Sequence, residues 1–463
     1  MDWPLAPIAP VVAVGEKSAE LLPRPASPGQ HGGVNGSRLA LRRRPLGTGQ
    51  VAAAAAVGTA VEFYDFVLYA FLAATVFAPL FFPQLVPWLG TLAVLAGHAA
   101  AIVSRPVGAL IFGAVGDRLG RKPALVASLT LMGLATVGVG MLPGYAVIGV
   151  AAPVVLVVLR LAQGLAIGGE YPGAIVVAVE HAPPHLRPLY GAFAQVGAVF
   201  GLLLAGLSLL AVNLVAGEAA FREWGWRLPF LLSGVLVAGG VLLRARLTES
   251  AEFVAADRRG AEPDRFGALL RRAPRPLLAG TLMWTGPVAL GYAFLTGLFA
   301  YVAVCVPALT VTDLQIGAVL AATVLAAVTL LSAHVGARWA PARVVATAGI
   351  AAAAWAVPGY LLVDLGTAPA TWVAMAVAGC VYGVFGGVAP ALVSQSFPVD
   401  VRYRGVAVVL ASSAVLGAAV LPLPALVLVG ATGGSSVPLM VMVIVAGLAT
   451  AAGAVLLPDR ARP

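Results

Sequence analysis

Residues 405 to 458 contain no aspartate, glutamate, lysine or arginine, and the same holds for 123 to 159, 188 to 217, 276 to 312 and 365 to 399. Uninterrupted apolar chain of this length matches helices that cross a bilayer, each needing about 20 apolar residues. Inside hydrocarbon the backbone must satisfy its own hydrogen bonds, which a helix does within itself. Several intervals hold two such spans, separated by Pro/Gly breaks such as "LPGYA" and "GATGGSS". Only 10% of the 463 residues are charged, against about 25% in a soluble domain.

The hydropathy pattern predicts twelve helices, at 48–80, 88–116, 122–142, 150–180, 188–216, 228–246, 275–305, 314–336, 342–363, 368–395, 402–429 and 436–457. The expected organisation is an N-terminal tail over 1–47, a six-helix bundle over 48–246, a linker over 247–274, a second six-helix bundle over 275–457 and a short tail over 458–463. The fold class is therefore an all-α membrane protein. "PLAPIAPVV" and "LPRPASPGQHGG" make the first 37 residues rich in Pro and Gly, which reads as a disordered tail. No basic region precedes its apolar part, unlike a cleaved signal peptide.

Basic residues are distributed unevenly. Arg38, Arg42, Arg43, Arg44, Arg118, Arg121, Lys122, Arg187, Arg338, Arg343, Arg402, Arg404, Arg460 and Arg462 fall in the tails and the even-numbered turns, and the linker carries five arginines. The odd-numbered turns hold Arg222 and Arg227. The positive-inside rule then puts both termini and the linker in the cytoplasm. On this reading the net charge of +9 expresses topology rather than nucleic-acid binding. Cys305 and Cys380 lie in apolar stretches and suggest no disulfide. No metal-ligand cluster, nucleotide loop or nucleophile–base string marks an enzyme, and no metal or cofactor is expected.

The halves echo each other. "GGEYPGAIVVAVEHAPPHLRPLYG" at 168 to 191 and "GGVAPALVSQSFPVDVRYRG" at 386 to 405 both run from a Gly pair through a Pro-x-x-x-Arg turn to a Gly opening the next span. A parallel six-plus-six repeat is what a transporter with a central site between two halves contains, although Gly/Ala-rich membrane sequence also produces chance likeness.

Against this apolar background a few charges stand out. Glu62 and Asp65, in "VGTAVEFYDFVLYAF", are three residues apart and share one side of the first helix. Arg105 lies in the second helix, and Arg160, Gln163 and Glu170 in the fourth. Ionisable residues inside a membrane are functional candidates by default. Helical rise suggests two ion pairs at two depths, Asp65 with Arg160 and Glu170 with Arg105, with Glu62 between them. Glu62, Asp65 and Glu170 are thus proton-coupling candidates, Glu62 foremost because it neighbours another acid. Arg105, Arg160 and Gln163 are candidates for an anionic substrate, arginine offering a forked, permanent charge. Tyr292 is the preferred cavity residue among the second-half aromatics. Static staples between helices are the structural alternative for the acids and arginines, and hydrogen-bonded filler is that for His98 and His334. Glu180, His181 and His185 read as a solvated rim, and Gly191, Gly197 and Gly201 as a close-packing face.

The turn after the second helix, "GAVGDRLGRKP" at 113 to 123, contains Gly113, Asp117, Arg118, Gly120, Arg121 and Lys122. It resembles the signature turn of the major facilitator superfamily, which implies a gating role. "LRLAQGLAIGGEYPGA", "EFYDFVLYAF", "SRPVGALIFGAVGDRLGRKP" and "EWGWRLPFLLSG" narrow the likeness to metabolite:H⁺ symporters, carriers of proline and betaine, citrate, 2-oxoglutarate or shikimate. The resemblance implies a major facilitator fold with helices 1, 4, 7 and 10 around a central cavity. It also implies proton-coupled uptake of a small carboxylate or zwitterion by a protein of the plasma (inner) membrane, expected to act as a monomer. The chain departs from the family in "AHVGARWAPAR", which lacks the second copy's acid, in "GPVALGYAF", which lacks the polar pair of helix 7, and at Gln395 in place of a carboxylate. An uncharged, aromatic second half leaves efflux of an amphiphilic metabolite as the alternative.

Overall fold

The computed structural model describes residues 47–258, 266–336 and 339–457. The expected N-terminal tail up to residue 46, with Arg38 and Arg42 to Arg44, lies outside the described residues, as do Arg338 and the C-terminal Arg460 and Arg462.

Twelve helices are long and apolar enough to span a membrane. In the first half they are α1 (Thr48–Leu72), α2 (Pro87–Arg118), α3 (Arg121–Met141), α4 (Ala151–His181), α5 (Arg187–Ala216) and α6 (Arg227–Arg244). The second half has α7 (Pro274–Gly291), α8 (Val311–Gly336), α9 (Pro341–Asp364), α10 (Ala368–Gln395), α11 (Arg402–Val415) and α12 (Val437–Leu456). The expected spans and the observed ones coincide to within a turn once the short helices Ala78–Phe81, Gly297–Cys305 and Pro422–Ala431 are read as continuing α1, α7 and α11. Sequence pattern missed the π-helical turns that prolong α1 (Ala73–Phe77), α7 (Tyr292–Thr296) and α11 (Leu416–Val420), because a π-turn is a change of hydrogen-bond register and carries no residue signature.

Each half packs on itself: α1 on α5, α2 on α4 and α3 on α6 in the first, α8 on α10 and α7 and α9 on α12 in the second. The halves meet along α2 with α11 and along α5 with α8 and α10. Glycine sets these distances. A Cβ on Gly197 or Gly201 would collide with the α1 backbone at Ala56 or Ala60, and one on Gly191 would crowd Pro390 and Ala391 of α10. The close-packing face expected of α5 therefore serves two partners, one in each half.

The linker is built into one end of the molecule. Its helix, Ala251–Arg258, follows a non-helical run; Glu249 and Ser250 of that run and Glu252 of the helix reach the turns between spans.

Candidate functional site

The polar residues form two groups, one at the linker end and one at mid-membrane. At the linker end, Gly113 and Gly116 let α11 lie against α2, since a Cβ on either would meet the Arg404 backbone or the Tyr403 ring. That approach brings Asp117 onto the first turn of α11. Its two carboxylate oxygens accept the backbone N–H groups of Tyr403 and Arg404, both at 3.1 Å. Four N–H groups at a helix start lack partners within the helix, and Asp117 supplies acceptors from the other half of the protein. Arg121 pairs with Asp117 at 3.1 Å and with Glu180 at 3.2 Å, and donates to the Val399 carbonyl across the gap at 2.7 Å.

Gly120 has φ +110, a backbone conformation suited to glycine, and leaves room for Glu249 of the linker. Glu249 accepts from the backbone N–H groups of Arg121 and Lys122, so α3 is capped from outside its own sequence. Lys122 Nζ donates to the Ala245 carbonyl at 2.7 Å, while Arg118 stays exposed.

Glu180 corrects the solvated-rim expectation. It is 7% exposed and accepts from Arg121, Arg402 and Ser250. His181 is likewise engaged, its ring nitrogens facing the Val177 and Thr248 carbonyls. Glu252 joins Arg187 at 2.5 Å to Arg402 at 2.6 Å. Those two arginines are the ones the sequence repeat aligns, each closing a Pro-x-x-x-Arg turn, so one linker carboxylate holds equivalent points of both halves.

At mid-membrane the structure changes the expected pairing. Glu170 is fully buried and pairs with Arg244, not with Arg105, and also accepts from Ser128 at 2.9 Å. Arg244 ends α6, inside the expected span 228–246 but not among the embedded charges picked out from the sequence; its side chain turns back into the bundle and donates to the Leu125 carbonyl. A Cβ on Gly58 would collide with this guanidinium, so Gly58 makes the pair possible.

Asp65 and Arg160 do not form the expected ion pair. Arg160 donates to Gln163 at 2.7 Å and to His98 Nδ1 at 3.0 Å, with its guanidinium 3.7 Å from the Tyr69 ring centroid. His98 is thereby part of the site and uncharged at Nδ1, which filler status did not anticipate. Gln163 passes the contact on to Thr136 at 2.7 Å. Asp65 is fully buried and neither carboxylate oxygen has a hydrogen-bond partner among the described residues. The hydroxyls of Thr136 and Ser233 stand beside it, each also within hydrogen-bond distance of a backbone carbonyl, Met132 or Phe230.

Glu62 is 2% exposed, with Oε2 unpartnered. Its charged neighbours are Glu170, Arg105, Arg244 and Asp65. Arg105 is half-buried, 4.8 Å from the Phe66 ring centroid, and forms no ion pair among the described residues. Phe66 thus has two guanidinium groups near its ring, Arg160 standing 5.5 Å from the same centroid.

Next to Glu170, Tyr171 faces the second half. Its hydroxyl donates to Gln195 of α5 at 2.6 Å and its ring meets Trp284 of α7 edge-on, with Phe385 of α10 behind. Tyr171, Gln195 and Trp284 are the inter-half contacts that sequence reading did not select. Tyr292 begins the π-turn of α7, half-buried against Gly297, and the structure does not bring it to the charged cluster.

A sequence profile of the family described as "Sugar (and other) transporter" matches residues 51–274. A putative metabolite transport protein of Haemophilus influenzae is 34% identical over 82% of this chain and 89% of its own length. The inner membrane metabolite transport protein YhjE of Escherichia coli is 44% identical over 52% of this chain, a match spanning just over half (56%) of that relative. The Escherichia coli shikimate transporter is 45% identical over 42% of this chain and 45% of its length. In fold, the proton:xylose symporter XylE superposes with a TM-score of 0.69 at 16% identity, covering 88% of this chain and 94% of that one. Together with the Gly113–Pro123 turn and the twelve-helix fold, these likenesses establish that the chain belongs to the major facilitator superfamily, in its metabolite:H⁺ symporter family.

Proposed function

We propose that the protein is a secondary transporter of the inner membrane that imports a small carboxylate or zwitterion with protons, by alternating access. Both termini and the linker are cytoplasmic in this reading, supported by the arginines and lysine of the even-numbered turns. The linker-end network around Asp117 is then the cytoplasmic gate in its closed form, and the transporter works as a monomer.

The observation that carries the proposal is the mid-membrane cluster. Two carboxylates, Glu62 and Asp65, are buried with unpartnered oxygens, and Arg105 lies beside them without an ion-pair partner among the described residues. Buried charge without good partners costs several kcal/mol, so its retention is best explained by groups that exchange partners during the cycle. Glu62 is assigned the proton, Arg105 the substrate carboxylate, and Arg160 and Gln163 the structural frame around Phe66. Glu170, already paired with Arg244, is assigned a fixed role.

The test is uptake by purified protein in proteoliposomes, using labelled shikimate, glycine betaine and proline under an imposed inward proton gradient. Accumulation of at least one above its equilibrium level supports the proposal. Downhill exchange with no response to the gradient contradicts proton coupling. Stabilisation and transport of amphiphilic cations alone would favour export, which the apolar wall of Trp284, Tyr382 and Phe385 could accommodate.

A further inference from the structure

The charges inside the membrane balance. Apart from the gate, the described spans bring three acidic side chains, Glu62, Asp65 and Glu170, and three arginines, Arg105, Arg160 and Arg244, into one cluster, Arg244 reaching back into it from the last residue of α6. The charged residues of the described second-half spans lie at helix ends and are not paired with this cluster: Asp364 is held by Tyr301 and Ser436, and Arg402 and Arg404 belong to the linker-end network. His98 accepts from Arg160 and so contributes no charge. With every acid ionised the cluster is neutral.

Access within the cluster is unequal. Glu170 and Arg244 satisfy each other, and Asp65 and Arg160 are fully buried, Arg160 fixed by Gln163, His98 and Tyr69. Arg105 is the member with appreciable exposure, and Glu62 is the acid whose charge acts on it. The groups facing Glu62 are Arg105 from α2, Glu170 and Tyr171 from α4, Arg244 from α6 and Asp65 on its own helix. A substrate entering this site therefore meets an accessible cation and finds no accessible carboxylate for an ammonium group.

Resting on the proton-coupled reading above, we propose that each cycle carries one proton and one monocarboxylate whose remainder is uncharged, so that transport is electroneutral. The proton binds the Glu62 carboxylate from the outer side, which removes one negative charge from the surroundings of Arg105. One substrate carboxylate then replaces that charge at Arg105. The cluster is neutral both loaded and empty, and neither crossing moves net charge through the hydrocarbon, which is costly. A dicarboxylate would leave one negative charge uncompensated, and a zwitterion would leave its cation unpaired. Hydroxyl and amide groups of Tyr171, Gln195 and Tyr382 offer hydrogen bonds to the neutral part.

The experiment uses wild-type protein in proteoliposomes with shikimate as the monocarboxylate, glycine betaine as the zwitterion and succinate as the dicarboxylate. Each is offered a pH gradient alone, and then a valinomycin–potassium potential alone. The expected result is shikimate accumulation under the pH gradient, unchanged when the potential is added or reversed. Accumulation driven by the potential, or pH-driven uptake of betaine or succinate in place of shikimate, overturns the inference while leaving proton coupling intact. Failure of all three under either gradient overturns the transport reading itself. Arg105→Gln should abolish shikimate counterflow, and Arg105→Lys, which keeps the charge, should retain part of it. Equal counterflow by wild type and Arg105→Gln would contradict the assignment of the carboxylate.

Discussion

Replacing Glu170 with Gln would leave the Arg244 guanidinium buried beside a neutral amide. Removing one partner of a buried ion pair costs about 3–5 kcal/mol, so Glu170→Gln should lower the thermal unfolding midpoint in detergent strongly. Glu170→Gln combined with Arg244→Met should recover much of the loss, because no charge is then stranded. Gly58→Ala should behave like a milder Glu170→Gln, since its Cβ enters the space of the Arg244 head. An unchanged midpoint in Glu170→Gln would show that the pair contributes nothing. That Glu62 and Asp65 share a buried face was legible from their spacing. The Arg244 partner was not, because sequence position gives the depth of a Cα while a long side chain can turn back along the helix axis. His98 was missed for a related reason: its neighbour Arg160 comes within reach only because Gly164 and Gly168 bring α4 against α2.

Between elements, the turn after α2 acts by capping helices other than its own. Asp117→Asn keeps one acceptor oxygen but loses the charge that holds Arg121 and caps α11. Hydrogen bonds to a charged group contribute about 1.5–3 kcal/mol, so opening at the linker end should become roughly ten- to a hundredfold more populated. Spin labels at the exposed positions Leu119 and Trp339, with distances read by electron resonance, would report it. Glu252→Gln should shift the same equilibrium less, because its ion pairs are partly solvated and such pairs contribute about 1 kcal/mol or less. A larger effect from Glu252→Gln than from Asp117→Asn would contradict this ranking. The glycine-spaced turn after α2 and the twelve spans were legible because glycine spacing and apolar length are local properties. The linker's part was not, since an alternating-sign sequence does not say which turns it will reach.

For the whole molecule, the embedded charge is segregated by half. The first half holds the embedded acids and arginines, and the second presents an apolar, aromatic wall to them, as the sequence indicated by the missing acids of "GPVALGYAF" and "AHVGARWAPAR". The network at the linker end joins both halves through backbone caps and Glu252, so any separation there must break contacts of α2, α4 and α5 with α11 together. The central claim is that Glu62 couples the proton to the substrate, and a proton-flux measurement tests it most directly. Proteoliposomes enclosing a pH-sensitive dye are given external substrate with no imposed gradient, for wild type and for Glu62→Gln. Wild type should acidify the lumen on substrate addition, while Glu62→Gln should retain substrate exchange and show no acidification. Lumenal acidification by Glu62→Gln at the wild-type rate would contradict the account.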